Sequence, residues 1–353
     1  MHNICVYPKT DGFENNEKNS KEKNPSKKEK KINKSKINSI LEKINEIEIN
    51  EVKEEKIEEI IFNENPIQEY EEEIMKDLFE GEIRNRPNYS IFPTSTSKDG
   101  DFILSYLKRF SFINLFISFQ NELYLKQETL YLCINLFDRY IQIINKEKKL
   151  NEDMNKIALT CLFIASKNEE IYPPYLKEFF DIFKNKYTRR EIFLKEDEIL
   201  SSLDFQVLTT SPLLFLKIFC QYNFKYENTY VFKYENDLCF FGAQFLLELC
   251  IIEPKFCQLK PSLQAAICLY LARKYFVCKS KRINKIWTCD LRLKTDYSET
   301  KIKEKLKIAL NTIKNFFGNA FTKNFMSLPL YIKYSTIEYA EVSEKLKQMI
   351  IGK

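Results

Sequence analysis

ALTCLFIASK, residues 158–167, and AAICLYLARK, residues 265–274, are two versions of one segment. Five of the ten positions are identical, and two more exchange like for like, Phe163 with Tyr270 and Ile164 with Leu271. A repeat of this kind bears on the whole architecture, since each copy implies a similar unit around it. In both copies apolar residues run right round the helical wheel, the pattern of a helix enclosed by others. Ala158, Ala165, Ala265 and Ala272 would let neighbouring helices come close, and the closing lysine complements the negative end of the helix dipole. Each copy is therefore expected to be the central helix of its own helical domain.

The pattern outward from each copy supports this. Helical spacing covers about 99–120, 127–144, 151–168, 174–183 and 188–203 around the first copy. It covers about 212–222, 235–251, 260–275, 283–293 and 298–316 around the second. The repeated segment is the third helix of both sets. The fifth helices begin after Thr188 and Ser298, and Ser211-Pro212 opens the second set. Asp204 to Thr210 reads as a short extended link. Before the first set, Pro66 precedes IQEYEEEIMKDLFEGEI, whose Ile67, Tyr70, Ile74, Leu78 and Phe79 lie at helical spacing. The expected fold is all-α, two tandem five-helix domains preceded by an N-terminal helix and a disordered tail. The expected segments are 1–65 (tail), 66–98 (helix and connector), 99–207, 208–322, and 323–353 (C-terminal extension).

Composition narrows the chemistry. Six glycines in 353 residues leave few places for phosphate-cradling loops. The single histidine is His2, so imidazole chemistry is absent from the helical part. The ten cysteines form no C-x-x-C pair, and Cys133, Cys161, Cys239 and Cys268 sit in apolar runs, as small buried hydrophobes would in a reducing compartment. No metal or cofactor is expected. No secretory signal opens the chain, and the apolar stretch from Leu238 to Ile252 is interrupted by Gln244 and Glu248, so a soluble intracellular protein is expected, without a membrane partner. The Lys-, Asn- and Glu-rich tail holds KKEKKINKSK; Lys27, Lys28, Lys30 and Lys31 read either as a nuclear-import patch or as a solvated charge run.

Several stretches together resemble the cyclins. These are ETLYLCINLFDRY (128–140), LFIASKNEEIYPP (162–174), YTRREIFLKEDEILSSLDFQV (187–207), KPSLQAAICLYLARK (260–274), W-T-x-x-L (287–291), TDYSE (295–299) and YIKYSTIEYAEVS (331–343). The resemblance covers about residues 66–347, and its E-E-I-Y-P-P wording is similar to A- and B-type members. It implies two tandem cyclin folds and a non-catalytic regulatory subunit, heterodimeric with a cyclin-dependent protein kinase that it activates in controlling cell-cycle progression in nucleus and cytoplasm. It implies Arg109 and Asp138 as a buried ion pair between the first two helices of the box. It implies Lys167 and Glu196 as the charged grip on the kinase, with Ile164, Leu200, Phe205 and Val207 as the apolar part of that face, and Asn168 where an aromatic residue often follows the lysine.

The chain departs from the family's substrate-docking patch. Lys108, Ser111, Phe112, Leu115 and Ser118 stand where an apolar cleft with an acid is usual, and Met154 and Asn155 would line its other wall. Docking of ordinary R-x-L motifs on kinase substrates is therefore not expected. Neither R-x-x-L nor K-E-N occurs in the sequence, so degradation through those signals is not expected. Two alternatives have other consequences: a cyclin-fold adaptor of the transcription machinery binding nucleic acid or protein, and a kinase scaffold that does not activate. Nucleic acid would need a folded basic face, for which Lys279 to Lys294 is the candidate.

Overall fold

The first copy of the repeat folds as helix α4, Met154–Glu169, in the computed structural model of the chain. The structure describes residues 70–89, 92, 106–147, 152–183, 186–223, 230–277, 286–318 and 324–351. Asp153 starts α4 by accepting from the amides of Asn155 and Lys156, two of the donors a helix start leaves unbonded. Residues 157–166 are all buried. Against α4 pack α3 (Gln127–Lys146), α5 (Leu176–Ile182) and α6 (Arg189–Ser202), and α2 (Tyr106–Glu122) packs on α3. A capping box opens α6: the Thr188 side chain accepts from the amide of Glu191, and the Glu191 carboxylate accepts from that of Thr188.

The second copy is α10, Pro261–Ala272, with every residue buried. Its neighbours are α7 (Pro212–Asn223), α8 (Tyr230–Cys250) and α12 (Glu299–Phe317), with α11 (Cys289–Thr295) packed on α7 and a single-turn α9 (Pro254–Cys257) between α8 and α10 in the chain. The α8–α10 pair packs as α3–α4 does in the first repeat. The C-terminal segment adds α13 (Pro329–Tyr334), which lies on α2 and α8, and α14 (Val342–Ile351). The fold is all-α, with no strand among the described residues.

Four local expectations need correction. The N-terminal helix α1 is Glu71–Gly81, but Tyr70 and Ile74 are exposed. Its inner stripe is Met75, Leu78, Phe79 and the buried Glu82, which accepts from the amide of Ser262; Ile67 lies outside the described residues. The link after α6 is not extended at its start: Asp204 and Phe205 have φ of 50° and 56°. The amide of Phe205 bonds back to the carbonyl of Leu200 at 2.9 Å, which holds a left-handed turn that costs a side-chain-bearing residue ~1–2 kcal/mol. The second copy does not end at its lysine, because Arg273–Val277 continues as a π-helical turn in which Lys274 is exposed. The fourth helix of the second repeat begins at Cys289; Thr288 caps it by accepting from the amide of Leu291. Residues 99–105, at the expected start of the first set, lie outside the described residues, as do Lys27, Lys28, Lys30 and Lys31.

Candidate functional site

The end of α4 and the middle of α6 meet at one exposed edge of the first repeat. Lys167, in the last turn of α4, pairs with the carboxylate of Glu196 on α6. The lysine is about 41% exposed and the glutamate 13%. The Lys167 ammonium also lies 4.3 Å from the centroid of the Phe163 ring. With its lysine this open to water the pair contributes ~0–1 kcal/mol, so a partner can engage the lysine at little cost. Asn168 is exposed beside them, and its amide donates to Glu169 at 3.1 Å.

The apolar part of this edge differs from the expected set. Phe205 is 63% exposed, while Leu200 and Val207 are half-buried. Ile164 is a correction: it is buried at 4% exposure and belongs to the core behind the face. The structure adds residues that the sequence reading left out, since Ile171, Tyr172, Tyr175, Phe193, Leu194 and Leu208 are all exposed. The available signal was I-Y-P-P-Y, large apolar residues around two prolines that forbid a helix.

Polar bonds hold these loops. The Glu170 carboxylate accepts from the amide of Lys126 at 2.7 Å and from the Thr129 hydroxyl at 2.5 Å. The Lys126 ammonium donates to the carbonyl of Glu169 at 2.7 Å. Arg139 of α3 donates to the carbonyl of Gln206 at 2.6 Å, next to Phe205 and Val207.

Arg109 and Asp138 form a buried pair where the two repeats meet. The Arg109 Nε and Nη2 donate to the two carboxylate oxygens at 3.0 and 2.7 Å. Arg109 Nη1 donates to the carbonyls of Ile251 and Ile252 at 2.9 and 3.0 Å, so one guanidinium joins α2, α3 and the turn after α8. The guanidinium also lies over the Tyr89 and Phe92 rings, 5.6 and 5.9 Å from their centroids.

The docking-patch positions lie along α2 and the start of α4. Lys108, Ser111 and Asn155 are exposed. Phe112, Leu115 and Met154 are half-buried against the core, and Phe112 lies 5.2 Å from the Phe137 ring. Ser118 donates to the Glu122 carboxylate at 3.0 Å. An acid is thus present one helical turn beyond the serine.

Four buried thiols are set against reaction. Burial pushes Cys133, Cys161 and Cys268 well up and Cys257 up to about 12, which keeps them as unreactive thiols. Among the described residues no group of three His, Cys, Asp or Glu could hold a metal ion, and no helix is long and apolar enough to cross a membrane.

Residues 73–208 match the cyclin N-terminal domain and residues 210–348 the cyclin C-terminal domain. The protein is thus a two-domain member of the helical class defined by these paired repeats. The chain belongs to the cyclin family. It is 30% identical over 208 residues to S-phase entry cyclin-6 of Saccharomyces cerevisiae, covering 59% of this chain and 50% of that protein. It is 31% identical over 206 residues to Cyclin-A2-1 of Arabidopsis thaliana, covering 58% of this chain and 43% of that one. The chain thus spans about half the length of these relatives. The X-ray structure of a viral cyclin from herpesvirus saimiri shares the fold, with a TM-score of 0.52 over 68% of this chain and 96% of that chain, at 16% identity.

Proposed function

We propose that this cyclin is a regulatory subunit that binds a cyclin-dependent protein kinase and activates it, acting in nucleus and cytoplasm to control cell-cycle progression. The observation that supports the reading is the Lys167–Glu196 pair, whose lysine is exposed, on the same repeat as the exposed Phe205, Ile171 and Tyr172. Charged groups that can exchange partners, set beside exposed apolar side chains, suit a protein interface with a central anchor and a water-excluding border. The subunit would do no chemistry of its own. It would bind the kinase's active arrangement more tightly than the inactive one and so shift the population between them.

The test uses the full chain and a cyclin-dependent kinase. Phosphotransfer should need both proteins, and the double variant Lys167→Ala/Glu196→Ala should keep the parent melting temperature while weakening association by ~2–5 kcal/mol. Unchanged affinity of the folded double variant would remove this face from the function. Phosphotransfer by the chain alone would overturn the regulatory reading.

A further inference from the structure

The C-terminal segment puts a lysine into the protein interior. Lys333 of α13 and Glu248 of α8 are both almost fully buried, at 2% and 0% side-chain exposure. The Lys333 ammonium donates to the two Glu248 oxygens at 2.8 and 2.9 Å, and Tyr334 donates to the same carboxylate at 2.7 Å. Burial pulls the Lys333 pKa down, and the Glu248 carboxylate opposes that. Two buried ions need good geometry and further hydrogen bonds to be tolerated. Here the lysine finds one outside its own repeat.

That bond goes to α2 of the first repeat. Lys333 donates to Gln120 Oε1 at 2.8 Å. The other end of the same buried amide, Gln120 Nε2, donates to the carbonyl of Leu125 at 3.3 Å. The next amide along, that of Lys126, donates to the Glu170 carboxylate at 2.7 Å, and the Lys126 side chain holds the carbonyl of Glu169. A continuous run of polar contacts therefore leads from the Glu248–Lys333 pair, through Gln120 and the α2–α3 turn, to the loop that exposes Ile171, Tyr172 and Tyr175.

We propose that Lys333 is a positioning residue for the 169–175 loop, acting through Gln120 and the Leu125–Lys126 turn, so that the C-terminal segment of the chain sets the shape of the face on the first repeat. The proposal rests on the kinase reading of that face for its consequence, but not for its test. Gln120 is the informative link because its side chain faces two ways. It accepts from the lysine with its oxygen and donates to the turn with its nitrogen, and a carboxylate or an apolar side chain cannot do both.

The test is amide hydrogen exchange, followed by NMR, on the full chain without a kinase. Gln120→Leu keeps the Lys333–Glu248 pair and breaks the run. The Lys126 amide should then exchange about tenfold faster, as expected for a local opening, while the Arg292 amide, bonded to the carbonyl of Thr288 in α11, stays at the parent rate. Lys333→Met could fail to fold by leaving Glu248 unpaired, so the pair is removed as Lys333→Met/Glu248→Met, a swap that apolar packing tolerates. This variant should give the same selective change at Lys126, and adding Gln120→Leu to it should change nothing more. An unchanged Lys126 rate in Gln120→Leu, an equal rise at Arg292, or additive effects of the two breaks would each overturn the proposal. Failure of the kinase reading would show separately, as unchanged kinase affinity in Lys167→Ala/Glu196→Ala.

Discussion

Helices α4 and α10 are near copies in sequence, yet they end differently. In α4 the residue before the lysine is Ser166, which is buried and donates to the carbonyl of Phe163 within its own helix. The helix stops two residues after Lys167, and the lysine stands at the edge, paired with Glu196. In α10 the same position is Arg273, also buried, and its Nε donates to the carbonyl of Ile286 at 2.6 Å. The long side chain draws the 286–288 segment onto the helix end, where Trp287 meets the Tyr270 ring and donates to the carbonyl of Tyr297. A serine bonds only within its own helix and leaves the lysine at the end of the first copy at the surface. An arginine in its place ties the end of the second copy into the chain's own fold.

The largest test of that contrast concerns the junction of the two repeats. Arg109→Ala leaves the buried Asp138 carboxylate without its partner and frees the carbonyls of Ile251 and Ile252. The expected loss is ~3–5 kcal/mol, or roughly 10 °C in melting temperature, and both repeats should melt together. An unshifted melting temperature would mean that the guanidinium does not join the repeats.

The next test alters the second copy alone. Arg273→Ser gives α10 the residue of α4 and should cost ~1.5–3 kcal/mol, the range for a buried hydrogen bond from a charged group. The chain has one tryptophan, so the site can be watched directly. Trp287 is 2% exposed, and its emission should shift to longer wavelength as the 286–288 segment loosens. Unchanged emission would show that the arginine does not hold that segment.

Much of this architecture was legible because local rules agreed. The repeat, the apolar encirclement of both copies and the caps at Thr188 and Ser298 gave the helix order. Side-chain reach was not legible. Lysine is exposed by default, so nothing in YIKYSTIEYAEVS marked Lys333 as buried or Gln120 as its partner. The left-handed turn at Asp204 and Phe205 carries no glycine to announce it. The resemblance puts Ile164 on the face, whereas residues 157–166 of α4 are enclosed on every side, which depends on the whole bundle. In the sequence the 171–175 stretch reads as a motif, and it stands at the surface with Glu170 anchoring it to the start of α3.

The smallest expected effect separates the starts of the two copies. α10 begins at Pro261 after Lys260, with no side-chain cap bond, so its start carries no titrating cap. α4 begins at Asp153, whose carboxylate also accepts from Tyr187 at 2.9 Å and from Lys186 at 3.1 Å. Burial pushes the Asp153 pKa up, but the bonds from Tyr187, Lys186 and the amide of Lys156 outweigh it and hold the group below the ordinary carboxylate range. A carboxyl whose pKa is lower folded than unfolded binds fewer protons in the native state. Its stabilisation is then complete above the unfolded value of ~3.9 and is lost as pH falls through the folded value. Asp153→Asn keeps the oxygen that caps the helix and removes the charge together with the oxygen that accepts from Tyr187 and Lys186. Because the site is partly open to solvent, the expected cost at neutral pH is only ~0.5–1 kcal/mol. Melting temperatures of parent and variant, followed from pH 7 downward, should therefore differ slightly at first and converge below pH ~4, as the parent loses its own charge. A gap that stays constant through the acid range would mean that the Asp153 charge adds nothing to the start of α4, and that the two copies begin on equal terms.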